Sequence, residues 1–260
     1  QAIESGMFDC VLAAGFEQMT PGAIGNVFDD RPGPLDGFVD IANQKYDNAE
    51  KVPMAIKLFG GAGQEYQEKY GMKTESFAKV RVKAAEHAIH NERAIFRSPL
   101  SIEQVMDNGN FIFANLTRLQ CCPPTCGAAA AIVCSEEFAR KNGLRDDVVI
   151  SGQALTTDYA DSFNEGSLMK AVGSEMTRTA AQVVYEQMGL GPEEVNLVEL
   201  HDCFATNEVI TYEGLGLCKE GEAEKFIWDG DNTYGGRVVT NPSGGLLSKG
   251  HPLGATGLAQ

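Results

Sequence analysis

The apolar residues of this chain are concentrated in short continuous runs, which predict buried strands. Residues 8–16 (FDCVLAAGF) and 127–134 (GAAAAIVC) are apolar almost throughout and carry no helical spacing. Runs of this length are typical of strands that are buried on both faces. Similar runs predict further strands at residues 147–155, 195–200 and 237–240.

Apolar residues three and four positions apart predict helices between these strands. In residues 76–96, for example, Phe77, Val80, Ala84 and Ala88 share one face. Ser174 or Thr177 is expected to cap the helix that Gly189 ends. The predicted helices cover residues 54–70, 76–96, 136–142, 174–188 and 203–216, with one further turn at 101–106.

Strands that alternate with helices predict an α/β fold with a mainly parallel sheet covered on both faces. The segment 19–37 is rich in Gly, Pro and Asp and is predicted to be irregular. The chain opens on a segment typical of the last turn of a helix, ended by Gly6, and closes on one typical of a first turn. We therefore expect it to continue at both ends.

Composition narrows the class of protein. The 260 residues are 43% apolar, which excludes a disordered chain, and the net charge of −15 disfavours general binding of nucleic acid. No apolar run approaches the roughly 20 residues that span a bilayer, so no transmembrane segment is predicted. Seven Cys, an odd number, in a chain that needs no disulfides indicate a reducing compartment.

The cysteines outside the conspicuous motifs are expected to be structural. Cys10 and Cys134 lie in apolar runs and are predicted to be core residues. The run CCPPTC at 121–126 lacks the paired spacing of zinc ligands and a distant pair of His, so we expect a buried or half-buried connector and no metal site.

The first candidate motif is HDCF at 201–204, directly after the predicted strand 195–200. A helix N-terminus stabilises a thiolate, and a neighbouring His exchanges protons with it, so His201 and Cys203 are candidate catalytic residues. The alternative is a packed Cys and an ordinary loop His, and spacing alone leaves both open.

The second candidate motif is the Gly-rich segment 241–257, which contains His251 followed by Pro252. Glycines let the backbone approach a ligand closely, although a plain turn with an exposed His explains the segment equally well. The spacing of a phosphate-binding loop is absent. His87 and His90, inside a predicted helix, are expected to cap it or face solvent and are given no catalytic role.

Taken together, the motifs resemble those of the thiolase superfamily. GHPLGATG at 250–257 is similar to the C-terminal His motif of that family, and HDCF at 201–204 stands where ordinary thiolases carry Asn-Glu-x-Phe. The HDCF form resembles the SCP2-type branch, the thiolase part of sterol carrier protein X. Stretches at 8–19, 87–100, 119–133 and 210–218 agree, so the resemblance covers essentially the whole chain.

The resemblance implies a thiolase fold, in which two similar βαβαβ-type halves form a five-layered α/β/α/β/α core with an inserted loop domain. It assigns residues 1–40 and 120–142 to the remainder of the N-terminal half and 41–119 to the inserted loop domain on the coenzyme A side. Residues 143–260 are then a truncated C-terminal half.

The implied reaction is cleavage of 3-oxoacyl-CoA by coenzyme A, or the reverse Claisen condensation. By resemblance, His251 activates the nucleophile, His201 takes the oxyanion-hole place and Cys203 is the second acid/base. The nucleophilic Cys is expected upstream of Gln1, because none of the seven present matches its place. Two alternatives stay open: a non-catalytic thiolase-like protein that binds acyl-CoA or a partner, and a ketoacyl-synthase or other condensing enzyme of the same superfamily.

The resemblance also implies partners and a location. Coenzyme A enters as a substrate and no other cofactor is expected; the cofactor-binding residues stay unassigned. A homodimer is implied, and a sterol-carrier domain, fused or separate, is left open. The implied location is the peroxisome, with mitochondrion and cytoplasm as alternatives. Residues 45–97 contain ten Lys/Arg against seven Asp/Glu, a local excess that we expect to face the phosphates of coenzyme A.

Overall fold

The computed structural model describes residues 1–21, 28, 30–46 and 52–260. Part of the predicted irregular segment 19–37 lies outside these residues. The strands are β1 (Cys10–Glu17), β2 (Gly127–Cys134), β3 (Leu197–Val198) and β4 (Val239–Thr240). The helices are α1 (Asp36–Lys45), α2 (Met54–Tyr70), α3 (Thr74–Ala88), α4 (Ile102–Met106), α5 (Glu136–Lys141), α6 (Leu168–Ala171), α7 (Ser174–Met188), α8 (Ala205–Gly214), α9 (Ala223–Trp228), α10 (Gly245–Lys249) and α11 (Thr256–Ala259).

The strands form two small sheets instead of one mainly parallel sheet. β1 and β2 pair antiparallel over eight residues, from Cys10 opposite Cys134 to Glu17 opposite Gly127, and β3 pairs with β4 in parallel. Residues 147–155, predicted as a strand, are not one. A strand needs a hydrogen-bonded neighbour, and this segment has none among the described residues, so its apolar side chains lie exposed.

Burial of the β1–β2 sheet also differs from the sequence expectation. Alternate residues of β1 are exposed, so one face of the sheet is covered and the other is open in the described chain. Cys10 lies on the open face, and its assignment to the core is wrong; Cys134 is half-buried. The covered face carries Gly15, where the backbone of Gly254 approaches so closely that a Cβ would not fit.

The main hydrophobic core lies between helices, chiefly α2, α3 and α8. Buried apolar residues of α2 and α3, such as Leu58, Phe77 and Val80, join those of α8, such as Val209 and Ile210, in one cluster. Hydrophobic periodicity found α2 and α7 at their observed bounds. The cap of α7 is Gly173, with φ 98°, and neither Ser174 nor Thr177. The helix α1 was not predicted.

A buried ionic network crosses this core. The Lys83 ammonium pairs with the Glu208 carboxylate, and both side chains are almost fully buried. The Tyr212 hydroxyl donates to the same carboxylate at 2.5 Å, and the Thr240 hydroxyl lies 3.1 Å from it. Burying a charge is costly unless it is paired and hydrogen-bonded. These bonds fix α3, α8 and β4 to one another.

Helix α3 ends eight residues before the predicted boundary, because the chain turns away to bond elsewhere. After Ala88 the backbone N–H groups of Ile95 and Phe96 donate to the carbonyls of Lys249 and Ser248, at 3.4 and 3.1 Å. The segment beyond α3 therefore clamps the short helix α10. No helix among the described residues is long and apolar enough to cross a bilayer.

Candidate active site

The end of the β3–β4 sheet places the two candidate motifs side by side. The N–H of Asn241 donates to the carbonyl of Val198 at 2.7 Å, and its side-chain oxygen accepts from the N–H of Leu200 at 2.8 Å. Asn241 has φ 51°, in the left-handed region that Asn tolerates. It thereby turns the chain after β4 and fixes the residues that precede His201.

Asp202 ties the first motif to the second. Its buried carboxylate accepts hydrogen bonds from the backbone N–H of Leu246, at 2.7 Å, and of Leu247, at 3.4 Å. Gly245 leaves room for that carboxylate, since a Cβ there would overlap it. Burial and the nearby Glu208 charge raise the pKa of Asp202. Asp202 was given no role from the sequence; an Asp inside HDCF and the Gly-Gly pair at 244–245 were the available signals.

The two candidate imidazoles are in contact. The rings of His201 and His251 meet edge to face, with centroids 4.8 Å apart and an interplanar angle of 84°. His251 is buried, whereas His201 keeps part of its surface open to solvent. His251 therefore lies on the buried side of the site, and His201 lies on the side that is open to solvent.

The surroundings lower the pKa of both imidazoles. Burial, together with the nearby His201 and Lys249, lowers the pKa of His251 to about 4. Packing around the His201 ring lowers its pKa as well, with Lys249 as the second cause. Neutral imidazole has an unprotonated nitrogen at physiological pH, which is what a general base requires.

Two threonine hydroxyls hold His251 in place. Thr125 Oγ1 accepts from the backbone N–H of His251 at 3.1 Å, and Thr256 Oγ1 lies 2.8 Å from its Nδ1. Thr125 belongs to the CCPPTC run, and Pro124 forms a bridge with His251. Neither threonine was singled out from the sequence; the only signal for Thr256 was its place inside GHPLGATG.

The CCPPTC run is the connector that the sequence predicted, and it also lines the site. The N–H of Cys122 donates to the carbonyl of Cys203 at 2.9 Å, and Cys121 bridges Phe204. Cys121 and Cys122 are half-buried and Cys126 is exposed. Among the described residues no cluster of His, Cys, Asp or Glu has the arrangement of a metal site.

Cys203 is buried in an apolar cluster with Leu116, Phe204 and Leu246. Burial raises the pKa of its thiol well above the usual value, although backbone hydrogen bonds act in the opposite direction. The expectation that the following helix would stabilise a thiolate is therefore wrong for the resting state, because desolvation outweighs the helix. No hydrogen bond joins its sulfur to either imidazole within the described part of the chain. Cys203 is thus a protonated thiol, two residues after His201 in the chain.

His87 lies outside the site but contributes to its frame. It is buried, contrary to the expectation that it caps a helix or faces solvent; His90 is exposed as predicted. Nδ1 of His87 lies 3.0 Å from the carbonyl of Asn241, and its Nε2 lies 2.7 Å from the Thr233 hydroxyl. The His87 ring thereby fixes α3 against Thr233 and against the first residue of the second motif, Asn241.

Lys249 adds an uncompensated charge. Its Nζ is buried and has no hydrogen-bond partner among the described residues. The nearest carboxylates serve other donors: Glu199 accepts from the N–H and hydroxyl of Ser243, and Asp202 accepts from α10. Burial lowers the pKa of Lys249, while Glu199 and Asp202 act in the opposite direction.

Replacing Lys249 by methionine is expected to raise the pKa of both His201 and His251, because a like charge that disfavours imidazolium is removed. NMR titration of the imidazole protons of the intact protein measures this. Lys249→Arg should keep both pKa values low. Lys141→Met, at the exposed end of α5, is the matched control and should change neither. Unchanged imidazole titration in Lys249→Met would contradict the electrostatic account.

Comparison with known proteins shows which family this chain resembles. The family described as "Thiolase C-terminal domain-like" matches residues 161–260. Sterol carrier protein 2 of Rattus norvegicus is 49% identical over 261 residues, covering 100% of this chain and 47% of its own length. Benzoylsuccinyl-CoA thiolase subunit BbsB of Thauera aromatica is 41% identical over 198 residues, covering 76% of this chain and 50% of its own.

A solved structure shows the same fold. The Ltp2-ChsH2(DUF35) aldolase superposes with a TM-score of 0.76 at 26% identity, covering 99% of this chain and 65% of its own. The chain spans about half the length of the curated relatives it matches. The chain thus has an α/β thiolase fold, matches the thiolase C-terminal domain over residues 161–260 and is similar along its whole length to sterol carrier protein 2.

Proposed function

We propose that this chain carries the acid/base half of an acyltransferase that cleaves 3-oxoacyl-CoA with coenzyme A. The products are a shortened acyl-CoA and acetyl-CoA or propionyl-CoA, and the reverse reaction is a Claisen condensation. The observation that carries the proposal is the contact between the buried ring of His251, whose pKa is lowered, and the ring of His201. Cys203 follows His201 by two residues in the chain. The nucleophilic Cys is proposed to precede Gln1.

The acylation step uses His251 as base. His251 takes the proton of the nucleophilic thiol, and the thiolate attacks the 3-oxo carbon. His201, neutral and partly open to solvent, donates a hydrogen bond to the oxygen that becomes negative. The C–C bond then breaks, leaving an acyl thioester on the enzyme and the enolate of acetyl-CoA.

The leaving enolate needs a proton on carbon, which Cys203 supplies. Its raised pKa keeps the thiol protonated until the enolate forms, and the resulting thiolate recovers a proton from the imidazolium of His251. In the second half, His251 takes the proton of coenzyme A, the CoA thiolate attacks the acyl thioester, and the nucleophile leaves as a thiolate that His251 reprotonates. All protons are thereby returned.

The source of the substrate, the cellular location and the oligomeric state are part of the same proposal. Fatty-acid, branched-chain or sterol side-chain oxidation supplies substrates of this chemistry, and the peroxisome and a homodimer are the proposed setting. The phosphates of coenzyme A are proposed to bind at the surface of residues 45–97, where only some of the described basic residues are available. Lys57, Arg81 and Lys83 are buried, and Lys83 is paired with Glu208, so these three cannot contact phosphate from the surface.

A second candidate is suggested by the structural neighbour that is named an aldolase. A retro-aldol cleavage uses the same base and the same stabilised enolate, but it breaks a 3-hydroxyacyl-CoA into a carbonyl compound and acyl-CoA. It consumes no coenzyme A and forms no acyl-enzyme. Dependence on free coenzyme A therefore separates the two reactions.

The test is a product assay of the intact protein with acetoacetyl-CoA and with longer 3-oxoacyl-CoA. Thiolase activity predicts loss of the 3-oxoacyl-CoA absorbance only when free coenzyme A is present, with two acyl-CoA products in equal amounts. Cleavage of a 3-hydroxyacyl-CoA without coenzyme A would support the aldolase. Binding of acyl-CoA without cleavage of either substrate would support the non-catalytic alternative.

A further inference from the structure

Thr256 lies beside His251 and contacts Nδ1 of its imidazole ring. It is the first residue of α11 and is almost fully buried. Its Oγ1 lies 2.8 Å from Nδ1 of His251 and 3.0 Å from the carbonyl oxygen of Pro252. One hydroxyl thus stands between an imidazole nitrogen and a backbone acceptor.

The number of protons in this chain of contacts decides the tautomer of His251. A hydroxyl has one proton to donate and two lone pairs that accept. A carbonyl oxygen only accepts, so the Thr256 hydroxyl bonds to Pro252 by donating its proton, as threonines commonly do toward the carbonyl four residues before them. The contact with Nδ1 is then one in which the oxygen accepts, and Nδ1 must carry the proton.

The opposite tautomer, with the proton of His251 on Nε2, leaves more hydrogen-bonding groups without a partner. If the hydroxyl donated to Nδ1, its own lone pairs would have no donor among the residues that the structure describes, and the proton of His251 would sit on Nε2. The carbonyl of Pro252 also accepts from the N–H groups of Ala255 and Thr256, at 2.8 and 2.9 Å. That carbonyl is therefore the anchor that holds the start of α11, and with it the hydroxyl, at a fixed place.

We infer that Thr256 is a positioning residue, which accepts a hydrogen bond from Nδ1 of His251 and so keeps Nε2 free as the base. The catalytic consequence rests on the proposed function, whereas the tautomer does not. Thr125 is the natural comparison: it also contacts His251 and also donates to a proline carbonyl, Pro123, at 2.8 Å. It contacts the backbone of His251 and leaves the ring nitrogens alone.

The tautomer is read directly by long-range ¹H–¹⁵N correlation spectra of the intact protein labelled at His, recorded at neutral pH, with His251→Gln used to assign the signals. The wild type is expected to show His251 protonated at Nδ1. Thr256→Val removes the hydroxyl at constant shape and should shift the population toward Nε2–H, while Thr256→Ser should restore the wild-type signals and Thr125→Val should keep them.

Steady-state kinetics of the same variants provide a second test. Thr256→Val should lower kcat for thiolysis by about 10- to 100-fold with little change in KM, as the loss of an orienting hydrogen bond does elsewhere, and Thr256→Ser should recover most of it. A wild-type His251 protonated at Nε2 overturns the inference, and the wild-type spectrum alone suffices if Thr256→Val does not fold. If the tautomer is as stated but no substrate is cleaved, the proposed function fails and this inference stands.

Discussion

Replacing His251 by asparagine is expected to lower the thiolysis rate of the intact protein by about 10²- to 10⁴-fold, because the base of both half-reactions is lost. Asparagine keeps a donor near Thr256 but has no group that accepts a thiol proton at neutral pH. Exchange of labelled coenzyme A into acyl-CoA, which tests acyl transfer without C–C cleavage, should fall by a similar factor.

The matched control for this variant is His90→Asn, since His90 is an exposed imidazole two residues after the end of α3. It should leave both rates near the wild-type values. Rapid acyl transfer that persists in His251→Asn would show that the base lies elsewhere in the protein.

Cys203→Ser is expected to separate the two half-reactions. Serine nearly matches the size of cysteine, but its hydroxyl is a far weaker acid, so protonation of the leaving enolate should slow by about 10²- to 10⁴-fold. Thiolysis of acetoacetyl-CoA and exchange of the α-protons of acetyl-CoA with deuterated water should both fall. The exchange of labelled coenzyme A should be largely retained, because acyl transfer does not use Cys203.

Cys122→Ser is the control for Cys203→Ser. Cys122 lies opposite Cys203 in the same cluster, and burial raises the pKa of its thiol to about 12, so the two thiols share an environment. A change in packing or polarity alone should affect both variants equally. Near-normal thiolysis in Cys203→Ser, or an equal loss in Cys122→Ser, would remove Cys203 from the mechanism.

The local structure could be predicted where the chain itself determines it. Helices α2 and α7 follow from apolar spacing, and the left-handed Gly189 ends α7 as expected. The strands β1 and β2 follow from continuous apolar runs. Residues 147–155 show the limit: an apolar run marks a tendency, whereas a strand exists only where a second strand supplies hydrogen bonds.

The site could be predicted only as two short motifs. Neither spacing nor composition shows that the rings of His201 and His251, fifty residues apart in the chain, touch. The thiolate expected at Cys203 was wrong because desolvation depends on the packed neighbours. Asp202 and Thr125 were missed for the same reason, since their hydrogen bonds join parts of the chain that only folding brings together. Thr256 is close to His251 in the chain, but its spacing does not show that the hydroxyl meets a ring nitrogen.

The central claim is that acyl transfer runs through a covalent thioester, with His201, Cys203 and His251 as acid/base and oxyanion groups and a separate cysteine as nucleophile. Mass analysis of the intact protein, quenched in acid after mixing with a 3-oxoacyl-CoA and no free coenzyme A, tests it most directly. The account predicts an increase by one acyl group, located on a cysteine that precedes Gln1. An acyl group on Cys203, or cleavage of the substrate with no adduct, would contradict it.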